Sequence, residues 1–302
     1  HNGRRRQRQM CIRDSHIFKD ETLIGQTVKL GFWPGGDRDG NPFVTTEITR
    51  KTAQLLRSSI IRNYYRDVRT LRRRLTFAGV EEAVLAVEKK LYDSIFALDK
   101  APAISLEDLK ASLASILKTI EEQYHGLFAN ELRDFIAKVN VFGYHFASLD
   151  IRQDSRVHHD AFLSLLAQTN KNGVTDVGFD YVNANEDARI DFLTSLTGDV
   201  DPDSFEDETV CKALGSIRAM REIQQTNGEA GCNRYIISNN QTAQNIFEVF
   251  AMIRLSDWEA PDVDIVPLFE TIPDLEVAVS VMNKVYRLSL IHISEPTRQS
   301  LI

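Results

Sequence analysis

Apolar residues recur at every third or fourth position along one long stretch of the chain, which predicts an amphipathic helix that buries one face. Its apolar positions are Ile48, Leu55, Leu56, Ile60, Tyr64, Val68, Leu71 and Leu75. Helical patterns continue from Val80 to Leu98 and then, with Ser105 as a predicted N-cap, in broken form to about Val141. Further helices are predicted at about 157–168, 241–255 and 273–285, and the acidic surface loop 197–209 is predicted to lead into another helix.

Four short segments rich in β-branched and aromatic residues interrupt these helices and are predicted strands. They cover residues 28–33, 145–151, 234–238 and 263–269. The later strands each lead into a helix, which is typical of parallel βα units. A helical insertion at about 43–141 is too long for a simple crossover, so the predicted fold class is α/β, a barrel with extra helices or part of one. In such a barrel the chemistry lies on loops at the carboxyl ends of the strands.

Composition and charge are those of an ordinary globular protein. Of the 302 residues 43% are hydrophobic and 26% are charged, and the net charge is −7. No apolar run approaches the roughly 20 residues that a membrane span needs. The three cysteines, Cys11, Cys211 and Cys232, lack the spacing of metal ligands, so we expect reduced thiols and a cytoplasmic location. Neither a membrane nor nucleic acid is an expected partner.

The two ends of the chain resemble material that is foreign to the native protein. Residues 5–15 and 288–298 each resemble a conceptual translation of a transposase-type sequencing adapter. We therefore predict that segments 1–15 and 288–302 are adapter-derived and that the native domain covers 16–287. Leaving out the six basic and two acidic side chains of the ends gives 30 basic and 41 acidic residues, a net charge of −11. This balance favours a solvated or ion-paired face for the arginine-rich helix segment 62–74 over a nucleic-acid surface.

Three of the predicted strands end in segments with unusual chemistry. The first strand passes through Trp33 into a loop of paired glycines and adjacent charges: Gly35, Gly36, Asp37, Arg38, Asp39, Gly40 and Asn41. Glycines allow tight turns, and three charges in a row are costly unless they are paired or bind a ligand. This loop is predicted either to form part of a site or to be a turn closed by a salt bridge within itself.

The second and fourth strands end in single charged side chains that suit anion and metal binding. Arg152 follows the second strand, and its planar guanidinium matches phosphate or carboxylate groups. The alternative is a local ion pair, either Asp150 with Arg152 or Asp154 with Arg156. Glu270 follows the fourth strand and suits Mg²⁺ or Mn²⁺. Its alternative role is that of an acid interacting with a helix N-terminus.

Three segments resemble the phosphoenolpyruvate carboxylase family in their order and approximate spacing. They are Gly-Gly-Asp-Arg-Asp-Gly-Asn-Pro at 35–42, Leu-Asp-Ile-Arg-Gln at 149–153 and Pro-Leu-Phe-Glu at 267–270. Tyr-Ile-Ile-Ser at 235–238 also resembles the intervening strand of that family. The resemblance covers essentially all of 16–287. It implies about strands two to five of a TIM-type (β/α)₈ barrel that is predominantly α-helical because of its insertions.

The resemblance also implies an activity and a set of site residues. The complete enzyme would be a homotetrameric carboxy-lyase that adds bicarbonate to phosphoenolpyruvate, giving oxaloacetate and phosphate, with Mg²⁺ or Mn²⁺ as cofactor. The reaction fixes inorganic carbon and supplies the tricarboxylic acid cycle. By matching motifs, Glu270 is expected to bind the metal and Arg152 the substrate phosphate. Trp33 and Leu268 are expected to line the pocket for the methylene carbon, with 35–41 as the site loop.

Several motifs of the catalytic machinery are missing from this sequence. We find neither the Thr-Ala-His-Pro-Thr-Glu type segment that carries the family's catalytic histidine nor the Phe-His-Gly-Arg-Gly-Gly loop or the second metal carboxylate. No catalytic residue is therefore assigned, and the fragment alone is expected to be inactive. The competing interpretation is a non-catalytic helical scaffold with a degenerate barrel remnant, which predicts that Arg152 and Glu270 lie apart. His158, beside His159, is expected to form hydrogen bonds or lie at the surface rather than to bind a metal.

Overall fold

The computed structural model describes residues 29–41, 43–96, 100–172 and 179–287. The predicted adapter segments, 1–15 and 288–302, lie outside these ranges. The chain divides into two compact units. The helical unit contains the described residues of 29–31, 53–148 and 225–231, and the sheet unit contains those of 32–52, 149–224 and 232–287. Within the described ranges, no helix combines the length and the apolar character that crossing a membrane requires.

Nine α-helices occur in the described ranges, and they dominate the structure. The first four are α1 (Thr46–Arg72), α2 (Val80–Ile95), α3 (Leu106–Gln123) and α4 (Ala129–Phe142). The others are α5 (Ser155–Asn172), α6 (Glu186–Ser195), α7 (Glu208–Asn227), α8 (Ala243–Arg254) and α9 (Ile272–Arg287). The predicted helices are confirmed within a few residues at their ends. The sequence pattern did not predict α6, because its buried Ile190 and Leu193 are too few to make a recognisable apolar stripe.

The apolar stripes of the first four helices form the core of the helical unit. Fully buried Tyr64 of α1, Leu91 of α2 and Leu109 of α3 belong to one cluster. These positions follow the helical period, because residues three or four apart lie on the same face. The predicted cap of α3 is confirmed, since Ser105 Oγ accepts a hydrogen bond from the Asp108 amide at 3.0 Å.

Part of the arginine-rich segment of α1 is an ion-paired face. Arg72 Nη1 lies 2.7 Å from Glu88 Oε2, and Arg69 Nε lies 3.7 Å from Glu88 Oε1. Arg74 Nη1 contacts Glu131 Oε1 at 2.6 Å. These three arginines therefore link α1 and the turn after it to α2 and α4 within the helical unit.

Two small sheets contain all the strands of the described residues. Strands β1 (Gly31–Phe32) and β2 (Ser148–Leu149) pair with each other. Strands β3 (Ile151–Asp154), β4 (Arg234–Ser238) and β5 (Asp264–Pro267) form a parallel sheet in that order. The predicted second strand, 145–151, is instead the pair β2 and β3, displaced toward the C-terminus. The reason is local, because Phe146 has a φ of 65°, which strand geometry excludes.

The parallel sheet confirms the α/β class and sets the position of the loops that follow its strands. Strand β3 leads into α5, β4 into α8 and β5 into α9, as the predicted βα units require. Strand β4 is buried along most of its length, whereas all four residues of β5 are half-exposed. Membership of these strands in a TIM-type barrel stays a prediction, since the described residues show only three strands in one sheet and two in another.

Candidate functional site

Arg152 is the meeting point of three segments that are far apart in the chain. It lies in β3, and its Nη2 donates to Asp39 Oδ2 at 2.9 Å and to Glu270 Oε2 at 3.2 Å. Its Nε is 3.9 Å from Asp37 Oδ1. Two features explain the convergence: the loop 35–41 is hydrogen-bonded to the backbone of Arg152 in β3, and Glu270 follows β5 of the same parallel sheet. The direct contact between Arg152 and Glu270 contradicts the separation that the scaffold interpretation predicted.

Trp33 supplies an aromatic surface beside Arg152. The guanidinium carbon of Arg152 lies 5.6 Å from the centre of the Trp33 ring, within the range of a cation–π interaction. The indole Nε1 donates to Asp150 Oδ2 at 3.1 Å. Because Trp33 is still 49% exposed, part of its ring is available to a ligand that also reaches Arg152.

Two glycines allow the site loop to run against β3. Gly35 has a φ of 86°, a left-handed conformation that favours glycine. A Cβ at Gly36 would lie 2.0 Å from the carbonyl oxygen of Asp150. The close approach permits two backbone hydrogen bonds, from the Arg38 amide to the Arg152 carbonyl at 2.9 Å and from the Arg152 amide to the Gly36 carbonyl at 3.0 Å. The loop is therefore fixed in register with the strand that carries Arg152.

Arg38 anchors the loop to α1 and α7. It is buried, and it donates to the Lys212 carbonyl at 3.0 Å and to Thr49 Oγ1 at 3.2 Å. The predicted alternative, a salt bridge between Arg38 and its neighbouring aspartates, is therefore wrong. Burial lowers the pKa of Arg38 from its ordinary value. Gly40 and Asn41 are exposed and shape the turn, with the Asn41 amide donating to the Arg38 carbonyl at 3.2 Å.

Glu270 faces the site and leaves the capping of α9 to other residues. Its Oε1 accepts a hydrogen bond from the Asn239 amide at 3.2 Å, in addition to the contact with Arg152. The Asp274 carboxylate accepts from the Thr271 amide at 3.0 Å, and the Asp274 amide donates to Thr271 Oγ1 at 3.3 Å, which caps the helix. Leu268 is half-buried and continues the backbone pairing of β5 with β4.

Of the two local ion pairs predicted as alternatives to a site role for Arg152, one forms and the other does not. Asp154 does pair with Arg156, at 2.6 Å, and this pairing lowers the pKa of Asp154. Asp150 does not use Arg152, because its Oδ1 accepts from Arg234 Nε at 2.7 Å. The guanidinium of Arg152 therefore contacts Asp37, Asp39 and Glu270 and not Asp150.

The site offers a guanidinium to an anionic ligand and one exposed carboxylate to a divalent cation. Arg152 Nε is buried and has no hydrogen-bond partner among the described residues, so an anionic ligand could satisfy it. The described ranges contain no cluster of three or more histidine, cysteine or acidic side chains suited to a metal. Mg²⁺ needs no such cluster, since it takes one or two carboxylates and completes its shell with water and substrate oxygens. Glu270, with a side chain 39% exposed, fits that requirement.

The two adjacent histidines serve the packing of the sheet unit. His158 is fully buried, and its Nε2 lies 3.0 Å from the Tyr235 hydroxyl. Burial lowers the pKa of His158 to about 3. His159 Nδ1 lies 2.6 Å from Oε1 of the buried Glu248, and this bond raises the pKa of His159. The expected hydrogen-bonding role of His158 is confirmed.

Comparison with known proteins identifies the family. A family model described as phosphoenolpyruvate carboxylase matches residues 8–100 and 82–298. The chain belongs to the phosphoenolpyruvate carboxylase family. A phosphoenolpyruvate carboxylase of Rhodopseudomonas palustris (strain HaA2) is 30% identical over 311 residues, which include 86% of this chain. Those of Bradyrhizobium diazoefficiens and Aromatoleum aromaticum are 29% and 27% identical over 88% and 92% of it.

The chain spans about a third of the length of these carboxylases. The matched regions cover 32% of the Rhodopseudomonas protein, 33% of the Bradyrhizobium protein and 35% of the Aromatoleum protein. The predicted resemblance to phosphoenolpyruvate carboxylase is therefore confirmed, and so is its partial extent.

Sequence reasoning missed three contributors to the site. Asp150 was considered only as a local partner of Arg152, and the parts of Arg234 and Asn239 were not predicted. Arg234 is separated from Asp150 by 84 positions, and Asn239 is separated from Glu270 by 31. Their position in the sequence could have indicated them, because all three residues lie within one residue of the start or end of a predicted strand.

Proposed function

We propose that this chain is the part of a phosphoenolpyruvate carboxylase barrel that holds the substrate phosphate and one metal ligand. The parent enzyme would add bicarbonate to phosphoenolpyruvate, forming oxaloacetate and phosphate. The observation that carries the proposal is the contact of Arg152 with Trp33, Asp39 and Glu270, which brings three of the family's motifs onto one edge. The barrel itself, about strands two to five, is part of the proposal.

Arg152 is the proposed phosphate-binding residue. A guanidinium offers several N–H donors in a plane. Among the described residues, none accepts a hydrogen bond from the buried Nε of Arg152, so this N–H can donate to a ligand. Its Nη2 is held by Asp39 and Glu270, so the fork is oriented before the ligand arrives. Pre-orientation reduces the entropy lost on binding. Trp33 and Leu268 are proposed to contact the methylene carbon of the substrate.

Glu270 is the proposed ligand for Mg²⁺ or Mn²⁺. Such a cation supplies positive charge that stabilises developing negative charge on phosphate and enolate oxygens. The Asn239 amide holds one oxygen of the Glu270 carboxylate, which limits its rotation. Asp37 and Asp39 add negative charge around Arg152 and would favour retention of a cation beside the substrate.

The isolated chain is proposed to bind ligands without turnover, because its sequence lacks the family's histidine motif and the glycine- and arginine-rich loop. Bicarbonate-dependent formation of oxaloacetate from phosphoenolpyruvate and Mg²⁺ is expected to stay at background. Turnover above background in a preparation free of host enzyme would contradict the proposed inactivity.

Ligand binding tests the site directly. We expect Mn²⁺ and phosphoenolpyruvate to bind together in calorimetric titration of the folded chain. Arg152→Gln should weaken phosphoenolpyruvate binding by roughly tenfold or more, because hydrogen bonds to a charged group are lost. Arg156→Gln is the matched control, since Arg156 is an exposed arginine that pairs with Asp154. Equal binding by wild type, Arg152→Gln and Arg156→Gln would refute the assignment.

A second pair of variants tests the metal ligand. Glu270→Gln keeps the shape of the side chain but removes the charge, so Mn²⁺ should bind more weakly. Glu276→Gln removes an exposed glutamate of α9 and is the control. The Mn²⁺ spin-resonance signal reports free ion and needs no activity. An unchanged signal with Glu270→Gln would exclude Glu270 as a ligand.

A further inference from the structure

Asp150 is a buried carboxylate shared by two donors from distant segments. It is 5% exposed, its Oδ2 accepts from Trp33 Nε1 at 3.1 Å, and its Oδ1 accepts from Arg234 Nε at 2.7 Å. A carboxylate is costly to bury unless it is paired, and each of its oxygens here has one donor. Arg234 offsets the charge of Asp150, so the second oxygen is free to serve the indole.

The indole of Trp33 has few other constraints. The backbone of Trp33 is fixed, because its carbonyl accepts from the Gly36 amide at 2.9 Å and from the Asp37 amide at 3.0 Å. The side chain is half-exposed, and an exposed side chain can exchange between staggered rotamers. The bond from Nε1 to Asp150 selects one of these orientations.

The selected orientation places the Trp33 ring against the guanidinium of Arg152. The distance of 5.6 Å between the guanidinium carbon and the ring centre requires the ring to stay where Asp150 holds it. Asp150 itself has its two oxygens directed to Trp33 and Arg234. It therefore acts on the site through other residues.

We propose that Asp150 is a positioning residue that, paired with Arg234, fixes the indole of Trp33 as a platform beside Arg152. The ligand that this platform serves follows from the proposed function. The competing explanation is that Asp150 and Arg234 form an ion pair of purely structural value, with the indole contact incidental. The two explanations differ in what happens to the indole when Asp150 is changed.

The first measurement keeps Asp150 and replaces only the other tryptophan of the chain. The protein has two tryptophans, so Trp258→Phe leaves Trp33 as the only indole. With nitrogen-15 labelled tryptophan, we expect a single indole resonance, shifted as for a hydrogen bond to a carboxylate, with slow exchange of its proton although the ring is half-exposed. If the indole proton of Trp33 exchanges as fast as that of free tryptophan, the proposal is overturned, and no variant of Asp150 is needed to show it.

The second measurement compares three variants in the same background. Asp150→Ala should speed indole exchange by roughly tenfold or more, the effect of losing one hydrogen bond to a charged group. Asp150→Asn retains an acceptor oxygen and should restore part of the protection. Asp154→Asn is the matched control, because Asp154 is a buried aspartate of the same segment that pairs with Arg156 instead. It should leave the indole resonance unchanged.

The outcomes separate this inference from the proposed function. If Asp150→Ala lowers the unfolding stability but leaves the indole shift and exchange unchanged, the positioning role is refuted and the structural ion pair remains. If indole exchange speeds up in Asp150→Ala as expected, while neither wild type nor Asp150→Ala binds phosphoenolpyruvate with Mn²⁺, the positioning role stands and the proposed function fails. If phosphoenolpyruvate shifts the indole resonance equally in wild type and Asp150→Ala, the function stands and the platform is overturned.

Discussion

Acidification is expected to destabilise the sheet unit through His158. This side chain is fully buried, and burial is the main cause that lowers its pKa to about 3. In the unfolded chain the pKa of a histidine is about 6.5. The folded pKa lies below the unfolded one, so the contribution of His158 is fully present above about pH 6.5 and is lost as the pH falls toward about 3.

The size of the effect follows from proton linkage. Between the two pKa values His158 is protonated in the unfolded chain but not in the folded chain, so the free energy of unfolding falls by about 1.4 kcal/mol for each pH unit of acidification. At about pH 5 the loss reaches about 2 kcal/mol relative to about pH 7.5. His159 has the opposite sign, since bonding to Glu248 raises its pKa, so its stabilising contribution is fully present below about pH 6.5 and is lost as the pH rises above that value. A comparison with a His158 variant cancels that contribution.

The assay is urea unfolding followed by far-ultraviolet circular dichroism at about pH 7.5 and about pH 5. Wild type should lose about 2 kcal/mol more stability between the two conditions than His158→Gln, which cannot take up the proton. Tyr235→Phe removes the hydroxyl beside His158 and should keep the extra loss, because burial is the main cause. Equal losses in wild type and His158→Gln would refute the reasoning. Disappearance of the extra loss in Tyr235→Phe would assign it to the hydrogen bond.

Two further predictions concern the site loop and the core of the helical unit. Gly36→Ala should destabilise the chain by about 3 kcal/mol or more, since its Cβ would lie 2.0 Å from the Asp150 carbonyl oxygen. Gly40→Ala meets no atom within 4 Å, so only its left-handed φ of 68° counts against it, and it should cost about 1–2 kcal/mol in urea unfolding. Tyr64→Phe should cost about 1–3 kcal/mol in the same assay, because the hydroxyl donates at 2.7 Å to the carbonyl of Gly143 in the core. Costs in the reverse order for the two glycines, or no cost for Tyr64→Phe, would contradict these assignments.

The helices could be predicted from the sequence because their burial is local in the chain. A residue of α1 or α3 that packs into the core has its partners on the same face three and four positions away, so the period is visible in the sequence. The segments that carry Trp33, Arg152 and Glu270 were also visible, since each of these residues lies in or just after a short β-branched stretch, although Arg152 lies inside β3 and not after a strand as predicted. Membership of the family was carried by short motifs whose order and spacing needed no structure.

The sequence by itself therefore determined the helical elements other than α6, the parallel βα order and the identity of the site residues in and just after the strands. Only the tertiary structure decided the pairing of those residues. Asp150 could have used the nearby Arg152, yet it uses Arg234, and Arg38 is buried against α1 and α7 away from its adjacent aspartates. The physical reason is that each choice depends on strand register and on the burial of charge, and both are set by segments that meet only after the chain has folded.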